Sequence, residues 1–287
     1  MERRTNPTAT NNPGVWIYGA RGLEPVTGIP ITDRGFRYGL HSFETLRVRH
    51  GRAEFVTEHL ELLHLSPWAQ TLPIAELKDW LSRPFECEGF VRIFVTAGDG
   101  PANAAIGESR IYLWFEAREI DATDSAMTVA LSPYPAPHHP GQGKSGNYAI
   151  NLAALADAKA RGFDEALLFN AADELVGAGM ANVFYSLGGK WFTPLEGRRG
   201  VIRGWVMQQT EVMERTLLRS EIGEIESAFL TSSGIGIVPI QAIEGRRLKD
   251  DPLVNQLRTE WVGSPILDHR AIPTQGRAVS LNPPSSL

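Results

Sequence analysis

Between Phe43 and Arg49 the chain alternates, with Glu44, Leu46 and Val48 on one side and Thr45, Arg47 and Arg49 on the other. A period of two predicts a strand with one covered face. His50-Gly51 follows as a hairpin turn. Val15–Tyr18 is a shorter strand candidate, and Val91–Thr96 and Ile111–Phe115 are apolar runs of strand length. Two helical patterns lie between. Thr57 is placed to cap a helix through about Leu65, with Leu60, Leu63 and His64 at helical spacing. Pro73 starts a second helix through Leu81.

Beyond Phe115 the texture changes. Residues 117–127 are polar, and 132–146 hold many helix and strand breakers. A helix over Asn151–Arg161 is stopped by Gly162. Strands are predicted over Glu165–Phe169, Asn182–Ser186 and Ala228–Thr231, with a long helix from Arg203 to about Ser220 and a last one over about Pro252–Trp261. Strands first and then both types predict an α+β or mixed α/β fold rather than a doubly wound sheet. The expected organisation is a loose tail (1–13), a smaller N-terminal α/β domain (14–117), a linker (118–127), a larger C-terminal domain (128–281) and a tail (282–287).

Composition narrows the function classes. The 287 residues are 43% hydrophobic and 21% charged, which excludes wholesale disorder. A formal net charge of −5 argues against a general nucleic-acid binder. No stretch approaches the ~18 apolar residues of a membrane span, and Met1–Gly14 is polar, so a cytoplasmic protein without a membrane partner is expected. The lone Cys87 leaves no internal disulfide and no multi-cysteine metal site.

Local motifs are mostly negative. Gly141-Gln142-Gly143-Lys144-Ser145 resembles the end of a phosphate-binding loop, but the required upstream Gly is His138 and the preceding stretch is proline-rich. The seven His residues show no metal-ligand spacing, and His59 and His64 do not share a helix face. They read as solvated or singly hydrogen-bonded, and no metal is expected. No G-x-S-x-G elbow is present.

Several strings matter as an ordered set. They are Asp33-Arg34-Gly35-Phe36-Arg37-Tyr38-Gly39, Phe43-Glu44-Thr45, Glu58-His59-Leu60, Lys144-Ser145-Gly146-Asn147-Tyr148, Gly162-Phe163-Asp164-Glu165-Ala166, Asn182-Val183-Phe184, Gly200-Val201-Ile202-Arg203-Gly204 and Phe229-Leu230-Thr231-Ser232-Ser233. In order and spacing, from about Trp16 to Trp261, the chain resembles the class IV aminotransferases, the fold-type IV pyridoxal-phosphate enzymes. These include branched-chain and D-amino-acid aminotransferases and 4-amino-4-deoxychorismate lyases. The resemblance implies a two-domain fold of the D-amino-acid aminotransferase type, a site between the domains, a homodimer and a small-molecule substrate.

Lys144 then matches the lysine that bonds the cofactor. Tyr38 and Phe43 are implied as pocket walls, with Asn147 and Tyr148 near Lys144. Arg37 and His41 are polar groups beside that wall, and Arg37 is the candidate for a substrate carboxylate. Gly204, Trp205, Ser232 and Ser233 are the candidate holders of the cofactor phosphate. Glu44 and Arg34 are read as holding strands and turns together.

The departures from the family pattern bear on the chemistry. Leu62 stands where the family's H-L-x-R-L carries a phosphate-binding Arg. Gly177 stands where a Glu pairs with the pyridine nitrogen, and Val206 where many members have a Thr. Thr96-Ala97-Gly98 replaces T-R-G, whose Arg binds a carboxylate. A phosphate without its Arg loses charge-assisted hydrogen bonds of roughly 1.5–3 kcal/mol each. Without the Glu, the ring is a weaker electron sink. Transamination depends on that sink. Expelling pyruvate from 4-amino-4-deoxychorismate depends on it less, because the product ring becomes aromatic. The expected activity is therefore that lyase, with weak or no cofactor dependence. The alternatives are a pyridoxal-phosphate-dependent amino-acid transaminase and a non-catalytic small-molecule-binding relative.

Overall fold

A computed structural model describes residues 14–19, 21–105, 108–119, 125–136 and 143–263. The predicted tails, part of the linker, and Gly141-Gln142 of the phosphate-loop-like string lie outside the described residues.

The first half of the chain forms a six-stranded antiparallel sheet. Its strands are β1 (Gly14–Gly19), β2 (Gly22–Pro25), β3 (His41–Arg49), β4 (Arg52–Ala53), β5 (Gly89–Thr96) and β6 (Arg110–Ala117), in the order β2-β1-β6-β5-β3-β4. β3 has the alternation expected of it: Ser42, Glu44, Leu46 and Val48 are buried, and the residues between them are half-exposed. His50 and Gly51 both take positive φ, +52° and +71°, in the two-residue turn from β3 to β4. Helix α1 (Arg34–Tyr38) precedes β3, with Asp33 as its N-cap. Helices α2 (Val56–His64) and α3 (Ile74–Leu81) cover one face of the sheet, joining Leu60, Leu63, Leu77 and Trp80 to Leu46, Val48, Val91 and Ile93. The α2 start differs from expectation: its N-cap is Phe55 in a left-handed conformation, and Thr57 lies inside the first turn.

The second half is a mixed sheet of β7 (Met127–Pro135), β8 (Glu165–Phe169), β9 (Leu175–Ala178), β10 (Asn182–Leu187), β11 (Lys190–Pro194), β12 (Met213–Arg215), β13 (Ala228–Ser232), β14 (Gly236–Ile243) and β15 (Arg246–Arg247). β7 runs parallel to both β8 and β14, while β10, β13 and β14 pair antiparallel. Helix α4 (Ala149–Ala160) packs on β7 and β8 through Ala154 and Ala158. Helices α5 (Val201–Gln209) and α6 (Pro252–Gly263) bury Trp205, Val206, Leu257 and Trp261 against Phe184 and Phe229. Phe55 stacks on Trp261 with centroids 5.5 Å apart, which ties the two halves together. This is the mixed α/β, two-domain architecture that the pattern implied.

Two sequence expectations are corrected. The long helix Arg203–Ser220 is only α5, Val201–Gln209; Thr210 is extended, β12 follows, and Arg219–Glu224 is a 3-10 turn. The apolar face of Val201, Ile202, Trp205 and Val206 has no continuation, because the next positions on it are Gln209 and Thr210. The breaker-rich stretch also begins as a strand: β7 runs through Pro133 and Pro135, and its pairing with β8 shifts between Leu131 and Pro135. Proline lacks the N–H a regular ladder needs.

Candidate active site

The site forms where residues 144–148 cross onto the start of β3. The Phe43 N–H donates to the Lys144 carbonyl (3.2 Å) and the Gly146 N–H to the His41 carbonyl (2.9 Å), around a Ser42–Ser145 bridge. Glycine leaves room for this approach at 146: a Cβ there would lie 1.8 Å from His41 Nε2, so the ring or the segment would have to shift. Gly39 (φ +67°) ends α1, and a Cβ there would meet Asn147 Oδ1 at 2.0 Å. The lysine backbone is thus pinned by hydrogen bonds and close contacts rather than left in a free loop.

The Lys144 ammonium sits 3.2 Å from Glu44 Oε2 and 5.6 Å from the Phe43 ring centroid, with its side chain 15% exposed. His59, on α2, donates from Nδ1 to the same Glu44 oxygen at 2.7 Å. Glu44 is fully buried. Burial by itself would raise its carboxyl, but the Lys144 ammonium, the His59 hydrogen bond and the Arg198 charge outweigh that and hold it at about 2. Burial lowers His59 and keeps its ring neutral, against the pull of Glu44. An ionised carboxylate only accepts, so Nδ1 carries the proton and Nε2 accepts from the Ser233 hydroxyl, 3.3 Å away. Ser233, His59 and Glu44 share the order of a hydrolytic triad, but Ser233 is buried and its hydroxyl is turned into the protein. The chain of bonds instead supports the carboxylate beneath Lys144.

Tyr148 packs edge-on against Phe43, centroids 5.2 Å apart, and its hydroxyl accepts a hydrogen bond from the Arg198 guanidinium. His41 is half-buried, with Nδ1 3.1 Å from the Gly35 carbonyl; burial lowers its pKa, opposed by that carbonyl and by Asp33. Asn147 is exposed.

Other expected residues are placed differently. Arg37 and Tyr38 are exposed and stack on each other at 4.8 Å. No hydrogen bond or ion pair joins either to Lys144 among the described residues. The Gly204 N–H is spent on the Gly200 carbonyl inside α5, and Trp205 is buried in the apolar core. The unspent N–H groups of α5 are those of its first turn, Val201, Ile202 and Arg203, and Val206 lies a turn further on. Ser232 Oγ accepts from the Ile235 N–H at 3.3 Å and holds its own turn. Arg34 does brace a loop, donating to the carbonyls of Ala97, Gly98, Ala104 and Ala105.

Three site residues escaped the sequence reading. In sequence Glu44 has the pattern of a structural residue and His59 of an ordinary histidine, and no motif marks Arg198. The one available signal was Glu44 itself, a charged residue on the covered face of an alternating strand.

At two positions where the family pattern has cofactor contacts this chain offers none, while Lys144 and the unspent N–H groups at the start of α5 remain. Leu62 packs against the apolar cluster that contains Ile202, Trp205 and Val206, so the family's phosphate arginine is replaced by core. Arg203 turns away from the start of α5 to Thr193, Pro194 and Glu214. Gly177 has φ +154°, a backbone that a glutamate side chain rarely adopts. Among the described residues, no group of three or more His, Cys, Asp or Glu is arranged to hold a metal, and no helix is long and apolar enough to cross a membrane.

The chain belongs to the amino-transferase class IV family, whose pattern matches residues 41–243. It is 23% identical over 277 residues to the aminodeoxychorismate lyase of Vibrio harveyi, covering 87% of this chain and 98% of that one. The branched-chain aminotransferase of Thermoproteus uzoniensis, solved with norvaline, superposes with a TM-score of 0.76 at 20% identity, covering 86% and 93% of the two chains. An aminotransferase from Brucella abortus bound to pyridoxal phosphate gives 0.72 at 22%, covering 85% and 96%. At such identities the structural likeness shows the fold alone.

Proposed function

We propose that this class IV family member acts through Lys144 as a lyase on 4-amino-4-deoxychorismate, releasing pyruvate and 4-aminobenzoate. The carrying observation is Lys144 held on the buried Glu44–His59 pair while the phosphate and pyridine positions of the family are apolar or bare. The reaction needs a base to take the proton from the ring carbon that bears the amine. The C–O bond on the neighbouring carbon then breaks, and the enolpyruvyl group leaves with its electron pair, takes a proton and becomes pyruvate. The new ring double bond completes an aromatic ring, so no external electron sink is required. In this reading Lys144 takes that proton as its free amine, the form reached when the ammonium first gives up a proton to solvent.

Amino-acid transamination is the second reading. Aminotransferases are prominent among the relatives, and one of them was solved with pyridoxal phosphate. Relatives thus favour transamination, whereas this chain's own Leu62 and Gly177 favour elimination. A homodimer belongs to the proposal too: Ile31 and Phe36, 74% and 66% exposed, are apolar side chains for a second copy to cover. Light scattering measures that mass.

The deciding experiment assays purified protein for pyruvate from 4-amino-4-deoxychorismate and for transamination of amino acids with 2-oxoglutarate, each with and without added pyridoxal phosphate. The lyase reading expects pyruvate release that is abolished by Lys144→Ala, and no stoichiometric visible absorbance band at low micromolar pyridoxal phosphate. A tight yellow complex that transaminates would establish the second reading. Full lyase activity in Lys144→Ala would remove Lys144 from the chemistry.

A further inference from the structure

The side chains around Lys144 carry more positive charge than they neutralise. Lys144 and Arg198 are cationic there, His59 is neutral, and Glu44 is the carboxylate they share. That carboxylate is already bonded by Lys144 and His59. Arg198 has only the neutral Tyr148 hydroxyl as a side-chain partner among the described residues, and its Nε is buried with no hydrogen-bond partner. A guanidinium in that position is costly unless an anion completes it.

The surroundings are built to hold it still. Arg198 lies between β11 and α5, in a loop tied by the Gly197 N–H to the Pro194 carbonyl (3.1 Å). The Arg198 carbonyl accepts from Asn182 Nδ2 at 2.7 Å. Its guanidinium carbon stands 5.7 Å from the Tyr148 ring centroid, and that ring leans on Phe43 under the Lys144 ammonium. Because the Tyr148 oxygen accepts from Arg198, its own O–H remains free to donate.

We infer that Arg198 is the carboxylate-binding residue of the Lys144 site, with Tyr148 as its second donor. A substrate carboxylate takes the terminal nitrogens of the guanidinium, whose charge has no carboxylate of its own, and the Tyr148 hydroxyl closes on the same group. The substrate of the proposed reaction then lies with one of its carboxylates on Arg198 and its amine-bearing carbon toward Lys144. Arg198 takes the role that the sequence suggested for Arg37, which the structure leaves exposed on Tyr38. The inference rests on the reading of Lys144 as the reacting group.

The test is binding without turnover. Titration calorimetry on the full chain compares 4-aminobenzoate with 4-aminobenzamide, its uncharged isostere. Wild type is expected to bind the carboxylate at least tenfold tighter than the amide. Arg198→Gln is expected to lose that preference, and Arg198→Lys, which keeps the charge but not the fork, to retain part of it. Equal affinities in wild type overturn the inference, as does an Arg198→Gln protein of native circular dichroism that keeps the preference. If Arg198→Gln does not fold, an Arg198→Lys preference equal to wild type overturns it instead. Should the preference behave as expected while neither pyruvate release nor transamination is found, the Lys144 reading fails and the anion site stands.

Discussion

Replacing Glu44 by glutamine removes the carboxylate that Lys144 and His59 share, at 3.2 and 2.7 Å. Its carboxyl is depressed from 4.5 to about 2 in the folded chain. At ~1.36 kcal/mol per unit this is about 3 kcal/mol of stability at neutral pH. The sign follows from the direction. A depressed carboxylate contributes fully above the unfolded value of 4.5 and loses its contribution as pH falls through the folded value near 2. Urea unfolding of wild type and Glu44→Gln, followed by tryptophan fluorescence, measures the difference. The variant should be weaker by about 3 kcal/mol near neutral pH, and the gap should narrow to about 2 kcal/mol by about pH 3.5. Lys144 is the largest favourable partner, so the same substitution in a Lys144→Met background should cost at least about 1 kcal/mol less. A neutral-pH gap below about 1 kcal/mol, or one that does not change with pH, would refute the assignment of Glu44 as an ionised partner of Lys144.

Gly146→Ala places a Cβ 1.8 Å from His41 Nε2. Either the ring or the strand carrying Lys144 must move, so turnover should fall at least tenfold and stability by about 1–3 kcal/mol, read by kinetics and thermal melting. Gly177→Glu meets a φ of +154°. It should cost about 1–2 kcal/mol in urea unfolding and leave pyruvate release no faster; a rise in transamination would favour the second reading.

Several elements were legible because their information is local. The alternation from Phe43 to Arg49 settles β3, and Gly162 at φ +84° stops α4 where a positive-φ residue was expected. α5 was read too long because Arg203–Ser220 has helix-compatible residues but no continuing apolar face. β7 was missed because its two prolines resemble a loop, and only its parallel neighbours β8 and β14 stabilise it as a strand.

By itself, the sequence determined the class of fold, about half of the strands, most of the helices, and Lys144 as the reactive candidate. The elements follow from short-range periodicity; the fold type and Lys144 follow from the resemblance that the ordered set of strings bears to the class IV family. The tertiary structure alone decided what surrounds that lysine. Glu44 meets Lys144 across 100 residues of chain, His59 meets Glu44 across 15, and Ser233 meets His59 across 174. Taken singly these are an acidic strand residue, a helix histidine and a turn serine, each ordinary in its local pattern. Their charges and hydrogen bonds acquire direction only when Gly146 lets the lysine segment lie against β3 and burial removes the competing water. The same holds for Arg198, whose unpartnered guanidinium nitrogen exists only because folding encloses it beside Tyr148.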